Sequence, residues 1–195
     1  MGEIAMINIL RRRFFEEKGH FWPVILTSAV ILLFGCQARE APLNPGIAAF
    51  KQEIKSCIDS LAVTLMEPVV KKDVAGIQAA LEKVESPAVK LCRSCPFEIG
   101  VLNPSGETLA AYPVKGDGKA KDFSNYELVK KAISSKKIQQ QGLFLAGGSK
   151  LYLVCAPLLR ENVLIGLVAI AVSSEDAAKK WGLKEKEFLA LDFNT

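Results

Sequence analysis

Apolar residues recur by threes and fours at Ile47, Phe50, Ile54, Cys57, Ile58, Leu61 and Leu65, the spacing of one helical face. Asn44 and Pro45 ahead of them supply a cap and a first-turn proline, so a long amphipathic helix is predicted, interrupted at Pro68. A second stripe, Val74, Ile77, Leu81 and Val84, predicts another helix that ends at Ser86-Pro87. From Phe97 the period changes. Phe97–Leu102 and Thr108–Tyr112 read as strands flanking Asn103-Pro104-Ser105-Gly106, residues in the order a type I turn prefers. Residues 113–123 are too polar for core, and Ser124-Asn125-Tyr126-Glu127 reads as a capping box opening a helix of about three turns. Ile138–Leu145, Leu151–Leu158 and Val163–Val172 complete a meander, with hairpin turns at Gly147-Gly148-Ser149 and Glu161-Asn162. The last of these, VLIGLVAIAV, is apolar on both alternating faces, as a central strand covered on both sides should be. The long helix can cover one face, and residues 113–136 the other.

Two segments lie outside this pattern. Arg11, Arg12 and Arg13 precede a 15-residue apolar run, Phe21–Gly35, too short for a spanning helix and suited to the apolar region of a secretion signal. The run ends in Leu33-Phe34-Gly35-Cys36, which resembles the bacterial lipobox, where the cysteine is cleaved and lipidated. That resemblance implies residues 1–35 as a lipoprotein signal peptide, Cys36 as the lipidated residue and 36–44 as a tether. It places the product outside the cytoplasm, anchored by lipid and facing the periplasm, on the outer membrane where the organism has one. At the other end, Trp181–Thr195 is a short amphipathic extension with Trp181, Leu183, Phe188, Leu189 and Leu191, read as a cap over a sheet edge.

Composition narrows the chemistry. The 195 residues are 50% hydrophobic and 24% charged, a globular balance, and 25 basic against 21 acidic residues give +4, too mild to imply nucleic acid. The one histidine, His20, lies in the signal segment, so the mature chain has no imidazole for general-base work. A G-x-S-x-G elbow is also missing, and neither an enzyme nor a cofactor is expected. Beyond Cys36 the mature chain has Cys57, Cys92, Cys95 and Cys155, which allow three pairings. A bridge from Cys57 to Cys92 or Cys95 would close a loop of about 35–40 residues, worth roughly 3–4 kcal/mol in the chain-entropy account. Cys155, mid-strand among apolar neighbours, reads as a buried thiol. The Cys92-Arg93-Ser94-Cys95 pair follows a helix and precedes a strand, the reverse of the thioredoxin context, so a redox or zinc role is the lesser reading. Lys115, Asp117, Lys119 and Lys121 read as a solvated loop face.

The order helix, helix, hairpin, loop, helix, three-strand meander resembles an extracytoplasmic PAS-like sensor. Ile99–Pro113 (IGVLNPSGETLAAYP), Asp122–Ala132 (DFSNYELVKKA) and Leu151–Val172 (LYLVCAPLLRENVLIGLVAIAV) are similar to a single Cache, or PDC, sensor domain over residues 45–175, with 176–195 as an extension. The resemblance implies an α+β fold: a five-stranded antiparallel PAS-like sheet, the long N-terminal helix on one face and the loop-helix segment on the other. It implies a small-molecule ligand held between the sheet and residues 113–130, with Tyr112, Asp122, Ser124, Tyr126 and Tyr152 as candidate contacts. Asp122 and Ser124 match the family's Asp-x-Ser pattern. Where the family often has an arginine, Tyr126 stands, so the fork that grips a carboxylate is missing and a less charged or aromatic ligand, or none, is implied. With Thr195 at its end the chain is expected to carry no output domain and to signal through a separate membrane partner, a sensor kinase or chemoreceptor. A structural or interaction lipoprotein without ligand is the alternative.

Overall fold

The computed structural model describes residues 44–84, 97–113, 121–146 and 148–195. Helix α1 (Pro45–Val70) begins as its sequence dictates, with the Asn44 side-chain oxygen accepting from the Gly46 N–H at 3.0 Å and Pro45 in the first turn. Its buried residues are the predicted stripe extended by one more turn to Val69. Pro68 does not interrupt the helix: it stands in the last turn, where it removes a single hydrogen bond, and the chain leaves only at Lys71 and Lys72. Helix α2 (Val74–Val84) follows at once.

The strands are β1 (Phe97–Leu102), β2 (Thr108–Tyr112), β3 (Gln139–Phe144), β4 (Lys150–Arg160) and β5 (Val163–Ser173), and helix α3 (Glu127–Ser135) links β2 to β3. They form an antiparallel sheet in the order β2-β1-β5-β4-β3, with β5 central as its two apolar faces require. The β1–β2 turn closes with the Gly106 N–H donating to the Asn103 carbonyl at 3.0 Å. At the β4–β5 turn Glu161 and Asn162 both have positive φ, 51° and 65°, the primed geometry that a two-residue hairpin favours.

The predicted capping box does not form. Helix α3 starts at Glu127 with Tyr126 as a cap that offers no side-chain bond. Ser124 falls short of the helix because its segment is tied to the β1–β2 turn: Asp122 bridges Glu107, and the Phe123 N–H donates to the Gly106 carbonyl at 2.9 Å. Residues 123–126 therefore make a separate turn, closed by the Tyr126 N–H on the Phe123 carbonyl at 2.9 Å.

Each sheet face has its own core. On the back face α1 and α2 pack over Ile99, Val101, Val154, Val168 and Ile170. Residues 176–195 join that core: α4 (Ser174–Trp181) and α5 (Glu185–Leu189) bury Trp181, Leu183, Phe188, Leu191 and Phe193. The Phe50 ring is their hub, edge-on to Trp181 at 5.1 Å, Phe188 at 6.2 Å and Phe193 at 6.5 Å. Asn194 finishes the β3 edge by accepting from the Ile138 N–H at 2.9 Å and donating to its carbonyl at 3.2 Å. On the front face a smaller core joins Leu128, Val129 and Ala132 of α3 to Leu102, Cys155 and Leu167.

Candidate functional site

Alternation along the strands fixes which residues share the front face. Leu102 pairs with Leu167, and both lie in the front core. Two positions along, Gly100 lies between Ala111 of β2 and Ala169 of β5, and Ala169 in turn pairs with Cys155. One step further, Ala171 pairs with Leu153. Directly opposite residues in an antiparallel pair point to the same side, so these small side chains make one floor. Helix α3 covers only the Leu102–Leu167 end of that face. Gly100, Ala111, Ala169 and Ala171 are each half-buried, and among the described residues no atom lies within 4 Å of where a Cβ on Gly100 would stand. The floor is a shallow shelf of small side chains, flanked by Leu151 and Leu153 of β4, with the exposed Glu98 of β1 beside Ala171 and Gln139 and Gln141 of β3 on the same face.

Residues 121–126 border the shelf at its α3 end. The Thr108 N–H and hydroxyl both donate to the Lys121 carbonyl at 2.9 Å, fastening the segment to β2. Asp122 accepts from the Ser124 N–H at 2.8 Å. The Ser124 hydroxyl and then its backbone N–H hold the exposed Asp122 carboxyl below the usual carboxylate range. Gly106 permits this close seating: its φ is +96°, and a Cβ there would stand 2.8 Å from the Ser124 Cα. The Phe123 and Tyr126 rings meet edge-on at 5.2 Å, with Phe123 against the front core and Tyr126 46% exposed.

The five candidate ligand contacts are thus divided. Asp122, Ser124 and Tyr126 come together in one turn on the front side. Tyr112 and Tyr152 lie on the back face, Tyr112 against the helix-side core and Tyr152 buried within it. Tyr152 stacks on Phe188, and burial, then the Glu185 and Glu187 carboxylates, pushes its phenol above the ordinary value. Residues 114–120, expected to border the ligand, lie outside the described residues, as do Cys36, Cys92 and Cys95. Cys57 is buried on α1, and burial pushes the Cys155 thiol up to about 12. In the sequence Ala111, like Ala110 and Ala156, reads as a small side chain that favours the ligand-free alternative, and Gly100, Ala169 and Ala171 carry no mark, although glycine and alanine placed opposite one another on adjacent strands are a readable signal. Among the described residues no helix is long and apolar enough to cross a membrane, and no group of three or more His, Cys, Asp or Glu is placed to hold a metal.

Solved sensor domains share this architecture. The chain is similar to a domain of a sensory box/GGDEF family protein from Vibrio parahaemolyticus, with TM-score 0.53 and 18% identity over 72% of this chain and 60% of that one. It is similar to the extracellular domain of a protein designated a histidine kinase, with TM-score 0.56 and 17% identity over 72% and 58%. It is also similar to the ligand-binding domain of the Pseudomonas aeruginosa amino-acid chemoreceptor PctB, solved with L-Arg, with TM-score 0.52 and 17% identity over 71% and 56%. The chain spans less than two thirds of the length of each of these domains. No protein-family model and no curated protein matches the sequence. The likeness establishes the fold alone, α+β with a PAS-like five-stranded antiparallel sheet.

Proposed function

We propose that this chain is an extracytoplasmic small-molecule sensor module, held to a membrane by lipid on Cys36. It passes ligand occupancy to a separate membrane protein, a sensor kinase or chemoreceptor. The observation that carries the reading is the open floor of Gly100, Ala111, Ala169 and Ala171 on the front of a sensor-type sheet, bordered by the Asp122–Tyr126 turn. The floor is built of small side chains with the Glu98 carboxylate at its edge, and Arg160, the one arginine among the described residues, stands at the β4–β5 end, 3.8 Å from Glu67. A ligand with an apolar part and no carboxylate suits a surface that has Glu98 at its edge and no arginine fork beside it. Signalling would work by population shift: a ligand on the floor favours one placement of the 121–136 segment and so biases the surface that a partner reads.

The reading is tested by native mass spectrometry of the exported, gently purified chain, followed by thermal unfolding against a panel of small aromatic and apolar compounds. A co-purifying organic adduct whose release lowers the unfolding temperature supports a sensor. A bare protein that no compound stabilises supports a structural lipoprotein instead.

A further inference from the structure

We propose that the end of the sheet carrying Phe144 and Leu145 rests on the bilayer surface, a second membrane contact that orients the domain. The inference rests on the lipid anchor at Cys36 proposed above. Phe144 is 71% exposed and Leu145 40%, side by side where β3 turns towards β4. The Lys150 ammonium sits 4.1 Å from the Phe144 ring centroid and pairs with Glu185, while on the adjoining segment the exposed Lys184 and Lys186 alternate with the half-buried Glu185 and Glu187. An apolar tip with lysine ammoniums beside it matches the acyl and headgroup layers of a lipid surface.

The course of the chain favours a bilayer as occupant. Gly46 abuts the Trp181 carbonyl, so the start of α1 lies against the end of α4. Three residues past Trp181–Gly182, Glu185 reaches Lys150 and lies 3.0 Å from where a Cβ on Gly142 would stand. Asn44, where the chain from Cys36 enters the domain, is therefore at the Phe144 end. At the opposite end Arg160 meets Glu67, Val69 packs on Gly166, and Val163 is 62% exposed. The length of β4, about 35 Å, separates the two ends. Eight peptide links from Cys36 to Asn44 span at most about 28 Å, so a lipid on Cys36 keeps the Phe144 end within that reach of the bilayer, while the Val163 end can stand a further strand length off. Two apolar side chains fall far short of the roughly 800 Å² per partner of a stable protein interface. A tethered domain, by contrast, meets the bilayer at high effective concentration, where a small contact suffices.

The test uses the full chain, exported, purified in detergent and reconstituted into phosphatidylethanolamine–phosphatidylglycerol vesicles containing brominated lipid. Phe144→Trp and Val163→Trp are compared with the parent, whose Trp181 is buried. Strong quenching of the Phe144→Trp signal with none at Val163→Trp is the expected result. Equal quenching at both positions, or none at either in a chain that floats with the vesicles, overturns the contact while the anchor stands. A chain that neither floats nor carries labelled fatty acid on Cys36 overturns the anchor, and the contact with it.

Discussion

Tyr152 and Phe188 stack with ring centroids 4.5 Å apart and planes 12° from parallel, joining β4 near its Lys150 end to the short helix α5. The pair shows that residues 176–195 complete the back core. Replacing Phe188 by alanine removes a fully buried ring that also touches Phe50, and is expected to cost about 3–5 kcal/mol in urea unfolding. A cost below about 1 kcal/mol, the level of an ordinary surface change, would mean that the segment only lies on the domain.

Two strand glycines should respond in opposite ways. Among the described residues nothing stands against Gly100, so Gly100→Ala should stabilise the strand by about 0.5–1 kcal/mol, while Gly100→Leu should fold normally and abolish ligand-induced stabilisation by filling the shelf. A Cβ on Gly166 would stand 2.8 Å from the Leu102 carbonyl oxygen, and Gly166→Ala should lose about 1–3 kcal/mol. Thermal unfolding of the three variants, with and without the co-purifying compound, reads both effects. Retained ligand stabilisation in Gly100→Leu would move the binding site elsewhere.

The Asp122 turn should be acid-sensitive. Its carboxyl pKa lies below the ordinary 3.8 because Ser124 bonds the ionised form. The stability it lends is therefore complete above that value and is lost as pH falls through the lowered one. Ser124→Ala removes the larger of the two causes, and carbon-detected NMR titration should show the Asp122 midpoint moving up towards 3.8. An unmoved midpoint would leave the backbone N–H as the whole cause.

Cys155 should be inert in the native protein. Its thiol is raised from 9.0 to about 12 by burial in the front core, so no useful thiolate fraction exists near neutrality. Iodoacetamide at neutral pH should label it only after denaturation, as peptide mass spectrometry would show. The folded form holds the proton more tightly, so this group's contribution is intact below pH 9 and declines as pH rises towards 12.

Hydrogen exchange reports the proposed transmission. Amides of residues 121–136 should exchange more slowly when the ligand is bound, while α1 amides stay as they are. Unchanged exchange at saturation would remove this segment from the signalling route.

Much of the fold was legible because its signals are local. The spacing from Ile47 to Leu65 marks the buried side of α1, and the two edges of the β1–β2 hairpin fall at the predicted residues. The double-faced apolar β5 announced its central place. What escaped was set by distant contacts. Strand β4 is apolar on both faces, so its pattern has no label for which side Tyr152 takes, and the aromatic partner Phe188 lies far along the chain. Ser124 has the composition of a helix cap, but its segment is bound to the β1–β2 turn instead. The shelf was hidden for a related reason: Gly100, Ala111 and Ala169 are unremarkable alone and form a floor only through strand pairing.

The aromatic hub at Phe50 also bears on the export proposed above. Phe50 lies in the first turns of the domain, and Trp181, Phe188 and Phe193 lie far along the chain, so this part of the core cannot close until Phe193 has been synthesised. Contacts this remote in sequence form late. A core that waits for residue 193 leaves the preceding chain open, the state that the proposed passage through a secretion channel requires.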